Sequence, residues 1–259
     1  MAAVRYLLFG RELDNFTYEI ANEDELARFI GEGIGVSTAD AARYIQELQV
    51  DHELRAAIRD ALRGRDDRNR TMPYGRRLGW YAIVRARKPR IVVETGVHDG
   101  LGSAVLLRGL ERNAMEGHEG SLVSFDVNGN SGWLIPAFAR SRHQLVIGPA
   151  PDMFLEALNG RRVDLFIHDS DHRYEHETAE FEAVMSLAGP SAVFVSDNAH
   201  AGTAFRDFCR RHSLRFHFFR EVPRDHWYPG AGIGLTTLDD LAAPNPRNAL
   251  TASPVDAGH

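Results

Sequence analysis

The stretch RIVVETGVHDGLGS, Arg90 to Ser103, decides the fold, because a short apolar run ends in Glu94 and passes straight into a glycine-rich turn. Gly96, Gly100 and Gly102 let the chain turn sharply and bring its backbone close to a ligand, and a helix is expected to begin near Ser103. The same rhythm then repeats downstream. Apolar runs at 91–94, 121–126, 144–148, 163–169 and 191–197 alternate with stretches such as LGSAVLLRGLERN, PDMFLEALNG and EHETAEFEAVMSLAG. Short buried strands separated by helices predict a parallel sheet covered on both faces. After a further helix, TAFRDFCRRH, come LRFHFFREV and GIGLTTL. Only PRDHWYPGA separates that last pair, too short for a helical crossover, so the two are expected to run antiparallel.

Upstream, DELARFIGEGIG, STADAARYIQELQV and DHELRAAIRDALRG carry apolar residues at helical spacing, with Ser37 or Thr38 and Asp51 as N-caps and Gly64 as a stop. This gives an N-terminal helical segment, 1–75, that covers the core, forms a dimer contact or shapes a substrate pocket; an α/β domain, 76–240; and a mobile tail, 241–259. The arginines of RGRDDRNR, Arg63 to Arg70, are diluted by acids and read as a solvated connector. A net charge of −6 argues against nucleic acid as a partner, since such binders usually show a basic face. The lone Cys209 excludes an internal disulfide and a multi-cysteine zinc site, and helical spacing makes it a small buried side chain. No apolar run reaches the length of a membrane span, and MAAVRYLLFG meets Arg11 and Glu12 too soon for a secretory signal, so the expected location is the cytoplasm.

In an open α/β sheet, ligands collect outside the carboxyl ends of the strands. Four of those ends carry acids: Glu94, Asp126, Asp169 and Asp197. One such acid is often a loop starter or a helix cap, whereas four on one rim point to a site. The glycine spacing is GxxxGxG rather than GxGxxG, which suits a nucleoside with an amino-acid end better than a dinucleotide. Asp126 ends the second strand, where a carboxylate can accept hydrogen bonds from ribose hydroxyls.

Together ETGVHDG and SFD resemble the first two motifs of class I S-adenosylmethionine-dependent methyltransferases, over roughly residues 76–238. The resemblance implies a Rossmann-like α/β fold, a seven-stranded mostly parallel sheet with an antiparallel last strand, helices on both faces and the N-terminal helical segment added. It also implies that Glu94, Gly96, Val97, Gly100 and Ser103 lie about the methionine end of the cofactor, Asp126 holds the ribose, Ala150 approaches the adenine and Asp169 lies alongside.

Asp169, Asp197 and Asn198 offer oxygen ligands suited to a hard divalent ion such as Mg²⁺. This resembles the metal-dependent O-methyltransferases of catechols, caffeoyl esters and antibiotic sugars, and the resemblance implies those three residues as metal ligands. Where the catechol-type enzymes carry a lysine, this chain has His172, the candidate base that takes the proton as a substrate hydroxyl attacks the sulfonium methyl. In the plainer reading, Asp171 and His172 merely cap the helix starting near Tyr174, or the DSDH stretch shapes the cofactor pocket without metal. His168, His172 and His176 recur every four residues, but His168 should still lie on the strand, so one helical face cannot present all three and zinc is not expected.

Candidate substrate contacts are Asp171, His200, His226, Trp227 and Tyr228; the aromatics would stack on a ring or close the core, as would Trp133. The expected activity is O-methylation of a small-molecule hydroxyl, on a secondary-metabolite sugar or a vicinal phenol, with a second copy of the chain as the other partner. The rivals are a metal-independent N-, C- or carboxylate methyltransferase of the same fold, and a nucleotide-binding oxidoreductase or a non-catalytic ligand-binding module.

Overall fold

The computed structural model describes residues 17–68 and 71–239; the opening MAAVRYLLFG, Asn69, Arg70 and the tail 241–259 lie outside them. Seven strands form one sheet: β1 (Ile91–Thr95), β2 (Ser121–Asp126), β3 (His143–Ile147), β4 (Val163–His168), β5 (Ala188–Ser196), β6 (His217–Arg220) and β7 (Gly232–Thr237). Their order is β3-β2-β1-β4-β5-β7-β6. The first five are parallel, and β7 runs antiparallel to both β5 and β6. The predicted reversal is therefore present, and the reversed strand slots between β5 and β6.

Alternating side chains build a core on each face of the sheet. Val92, Leu122, Leu165 and Val193 pack on one side, while Val93, Val123, Phe166 and Phe194 pack on the other. The first side is covered by α4 (Arg77–Arg87) and α5 (Leu101–Met115), the second by α6 (Ala150–Leu158), α7 (Tyr174–Leu187) and α8 (Ala204–Arg211). Cys209 on α8 is buried in the second core, as its helical spacing predicts. Between β2 and β3, where the other parallel strands are joined by α-helices, the chain forms a 3₁₀ helix, Ala137–Arg142.

The upstream helices are α1 (Glu23–Ile34), α2 (Thr38–Gln49) and α3 (His52–Ala61). Ser37 Oγ accepts the Asp40 N–H at 3.0 Å and Asp51 Oδ1 accepts the Leu54 N–H at 2.8 Å, so both predicted caps form. Leu26, Ile30, Ile45 and Leu54 share one core with Trp80, Val92 and Leu107. A Cβ on Gly33 of α1 would stand 1.8 Å from Leu235 Cδ2 on β7, so the helix is pressed directly onto the sheet. Arg108, buried on α5, reaches Asp51 at 2.6 Å and Glu53 at 2.7 Å, tying α3 to the same layer. Among the described residues no helix is long and apolar enough to cross a membrane.

Register places the site. Thr95 on β1 pairs with Phe125 on β2 and His168 on β4, and His168 pairs with Ser196 on β5. Gly96, Asp126, Asp169 and Asp197 therefore leave the sheet side by side, at the point where strand order reverses between β1 and β4.

Candidate active site

The glycine loop is held from beneath by Asp126. Its Oδ2 accepts the backbone N–H of Val97 at 2.9 Å and of His98 at 2.8 Å, and its Oδ1 accepts that of Asn128 at 2.8 Å. A carboxylate has room for further donors, so Asp126 can organise the loop and still receive hydroxyls. Gly96 has φ +83°, and a Cβ there would stand 2.0 Å from the Asp169 carbonyl oxygen; only glycine lets β1 and β4 diverge so little. Glu94 is buried, accepting from Ser124 Oγ at 2.9 Å and from Ser103 Oγ. Burial pushes its carboxyl up to about 7 against those hydrogen bonds.

Two cavities meet at this rim. The larger, about 710 Å³, is lined by Glu94, Gly96, Val97, Asp126, Asp169, His172, Asn198, His200 and Tyr228, among others. The smaller, about 380 Å³, is lined by Asp126, Val127, Gly148, Ala150 and Asp171. Gly96 and Asp126 border both. Val127 and Ile147, just past β2 and at the end of β3, are exposed apolar side chains flanking this rim. Gly100 and Ser103 border neither cavity: Gly100 packs on Gly132, and Ser103 acts on Glu94.

The sheet does bring Asp169, Asp197 and Asn198 together, but not as an open ligand set. Arg76, just ahead of α4, donates through Nε and Nη2 to both oxygens of Asp197. Its Nη2 also stands 3.3 Å from the Asn198 amide oxygen, and its Nη1 donates to Glu221 at 3.0 Å. Arg77 approaches Asp169 at 3.5 Å. Both oxygens of Asp197, the Asn198 amide oxygen and Asp169 Oδ2 thus face a guanidinium, while Asp169 Oδ1 faces His172 at 3.9 Å; a divalent cation bound by all three residues would have to displace Arg76. These ion pairs occupy the place where the expectation put a metal held by Asp169, Asp197 and Asn198, and as arranged the three residues do not present an open ligand set to that ion. Burial alone would raise the Asp197 carboxyl, but Arg76 outweighs it and holds Asp197 well below the usual range. Asp169 is pushed up, by burial and then by the Asp197 charge.

His172 reaches the larger cavity from the loop between β4 and α7. Its Nε2 lies 2.9 Å from Asn198 Nδ2 and 3.9 Å from Asp169 Oδ1. With the Asn198 oxygen turned to Arg76, the amide NH₂ donates to His172, which puts a lone pair on Nε2. Burial and neighbouring His168 lower its pKa, leaving the ring neutral at pH 7. Neither His172 nor Asp171 caps the following helix: its N-cap position, Arg173, has no side-chain cap hydrogen bond, and Asp171 accepts the Arg173 N–H at 3.0 Å in the turn ahead of it.

Of the substrate candidates, His200 and Tyr228 line the larger cavity and meet each other at 3.2 Å. His226 packs its ring on Tyr18 at 5.0 Å, and Trp227 stands beside it, so both are behind the wall rather than in it. Asp171 borders the smaller cavity and pairs with Arg173, away from the substrate side. Trp133 is a packing residue, with Nε1 donating to Asp99 at 2.9 Å and Arg65 stacked at 3.6 Å. Arg68 also pairs with Asp99 at 2.8 Å, so the arginine stretch expected to be a solvated connector is tied to the glycine loop.

The sequence reading missed Arg76, Arg77, Asp99, Tyr18 and Glu221. A signal for the first two existed. Arg76 and Arg77 stand at the N-terminus of α4, where a helix dipole disfavours positive charge, so something acidic had to face them.

Residues 93–199 match the family described as a methyltransferase domain. No curated protein matches the chain. Among solved structures, cofactor-bound Rv0187 from MTB is 24% identical, with a TM-score of 0.53 over 72% of this chain and 88% of that one. The O-methyltransferase TomG from Streptomyces achromogenes, involved in tomaymycin synthesis and solved with SAM, is 20% identical, with a TM-score of 0.54 over 76% and 95%. The O-methyltransferase from Bacillus cereus, solved with SAH, is 15% identical, with a TM-score of 0.51 over 82% and 96%. These likenesses show a shared fold.

Proposed function

We propose that the chain is a class I S-adenosylmethionine-dependent methyltransferase that methylates a hydroxyl of a small molecule, with His172 as base and without a divalent metal; the match of residues 93–199 to a methyltransferase domain supports this reading. Arg76 on Asp197 carries this reading, because it fills the place where related chemistry would put the ion. In that arrangement the deprotonation rests on a side chain rather than on a Lewis acid.

The cofactor is assigned to the rim joining the two cavities. Adenine fits the smaller one, between the exposed side chains of Val127 and Ile147 and near Ala150. Asp126 receives the ribose hydroxyls, and the Gly96–Val97 backbone with Glu94 borders the methionine end. Bound there, S-adenosylmethionine supplies an electrophilic methyl group for in-line attack. The Asp126 carboxylate in the same cavity favours a cationic sulfonium there.

The acceptor is assigned to the rest of the larger cavity, walled by Tyr18, Met72, Arg76, His200 and Tyr228. The N-terminal segment thus contributes Tyr18 and Met72 to the wall, which favours pocket-shaping over a dimer contact as its role. His172 Nε2 accepts the hydroxyl proton once the acceptor displaces the Asn198 amide. A secondary-metabolite sugar or phenol suits this polar, aromatic-edged wall. We place the reaction in the cytoplasm, in keeping with the absence, among the described residues, of any helix able to cross a membrane.

The test is turnover of labelled S-adenosylmethionine with a panel of phenols and sugars, in excess EDTA and in Mg²⁺. Equal turnover is expected. Activity that appears only with Mg²⁺ would overturn the reading.

A further inference from the structure

Behind the proposed base lies a cluster that shares His172 with the methyl-transfer reading and adds two residues that reading does not use. His168, His172 and Glu177 each turn one donor atom into a common gap, and those three atoms lie within 4.8 Å of one another. His168 is fully buried and its Nε2 has no hydrogen-bond partner; the Nδ1 of His172 is likewise buried and unpartnered. Two ring nitrogens aimed into one gap, with a carboxylate as the third wall, are costly unless something joins them.

The surroundings resemble a metal-ligand shell. Glu180 Oε2 stands 2.7 Å from His168 Nδ1, so that nitrogen carries the proton and the free lone pair is on Nε2. Thr95 Oγ1 and Ser170 Oγ donate to the two oxygens of Glu180, fixing it in turn. Ser196 Oγ donates to one oxygen of Glu177 at 2.6 Å and leaves the other available. His176, the third histidine of the four-residue series, turns instead to Glu180 at 2.9 Å. The ligand set therefore skips His176 and takes its neighbour Glu177, which no helical periodicity of histidines would reveal.

We propose that His168 Nε2, His172 Nδ1 and Glu177 form a three-ligand site for a transition-metal ion of the Zn²⁺ type, distinct from the Asp169, Asp197 and Asn198 trio. Two nitrogens and one oxygen suit zinc rather than Mg²⁺. Ligands about 2.1 Å from zinc in a tetrahedron are about 3.4 Å apart, so modest side-chain rotation closes the site. His172 borders the larger cavity and gives the ion a route in. Resting on the base assignment above, occupancy has a consequence. Coordination through Nδ1 moves the His172 ring proton to Nε2, removing the lone pair assigned to catalysis. A loaded site is an inhibited enzyme.

The experiment is titration of the full, tag-free chain with Zn²⁺ against a chromophoric chelator, and with Co²⁺ followed by its visible absorption. One ion per chain is expected, weakened at least tenfold in Glu177→Gln and in His168→Gln, and unchanged in the surface control His118→Gln. Circular dichroism and melting curves show whether each variant is folded, and Glu177→Gln retains both histidines if His168→Gln is not. No stoichiometric binding, as a lone buried water would give, overturns the site. So does binding lost on Asp169→Asn but kept in Glu177→Gln, which would place the ion in the acid trio. Zn²⁺ should also suppress turnover in the wild type and not in Glu177→Gln. Stoichiometric binding with unaffected turnover would leave the site standing and refute the base role of His172.

Discussion

Arg76 grips both carboxylate oxygens of Asp197 while its remaining nitrogen holds Glu221, joining the N-terminal side of α4 to the ends of β5 and β6. Asp197 and Glu221 are fully buried, so the guanidinium neutralises charge that water does not reach.

Arg76→Ala should therefore cost about 3–5 kcal/mol of folding stability, the usual penalty for stranding a buried ion. Arg76→Lys should recover part of it, because an ammonium restores charge but not the two-pronged geometry. Removing the guanidinium also frees the oxygens of Asp197 and Asn198. Mg²⁺ is expected to raise the melting temperature of Arg76→Ala and to leave that of the wild type unchanged.

How much of this was legible in the sequence follows from chain distance. Strand positions, the antiparallel last pair and the rim of acids come from apolar runs and from loop lengths, which are local. The Gly96 turn and the Asp126 position were legible for the same reason. Arg76 and Asp197 are 121 residues apart, and only the sheet register brings them into contact. A pattern of metal-type ligands was visible; the cation that had already claimed them was not. His226 and Trp227 show the converse, since aromatic character marked them but only folding decided which side of Tyr18 they occupy.

Glu94 predicts a pH dependence. Its folded pKa of about 7 lies above the ordinary value of 4.5, so the folded chain keeps a proton that the unfolded chain releases. That contribution is fully present below pH 4.5 and declines as pH rises to 7, by on the order of 3 kcal/mol. Glu94→Gln should flatten this slope in denaturant titrations from pH 4.5 to 8. The same variant should weaken S-adenosylhomocysteine binding, since Glu94 borders the cofactor rim.

Asp126→Asn should loosen the glycine loop, because three backbone N–H groups lose a charged acceptor. Hydrogen bonds to a charged group contribute roughly 1.5–3 kcal/mol each. Faster amide exchange at Val97 and His98 is expected, together with weaker S-adenosylhomocysteine binding by calorimetry.

His172→Asn separates chemistry from binding. Loss of a general base lowers the chemical step by roughly 10²–10⁴-fold. Single-turnover rates should fall by that factor while calorimetric affinity for S-adenosylhomocysteine stays at the wild-type value. A variant that binds the cofactor poorly but turns over normally at saturation would remove His172 from the mechanism.

Gly96→Ala should abolish cofactor binding and destabilise the fold together, since its Cβ meets the Asp169 backbone rather than a movable side chain. Melting temperature and S-adenosylhomocysteine titration on the same sample check both.

The most direct measurement is a crystal of the chain soaked with S-adenosylhomocysteine and Mg²⁺. The account predicts the nucleoside across Gly96 and Asp126, with its base between Val127 and Ile147, and Arg76 still on Asp197. An octahedral ion bound by Asp169, Asp197 and Asn198, with Arg76 swung away, would contradict it.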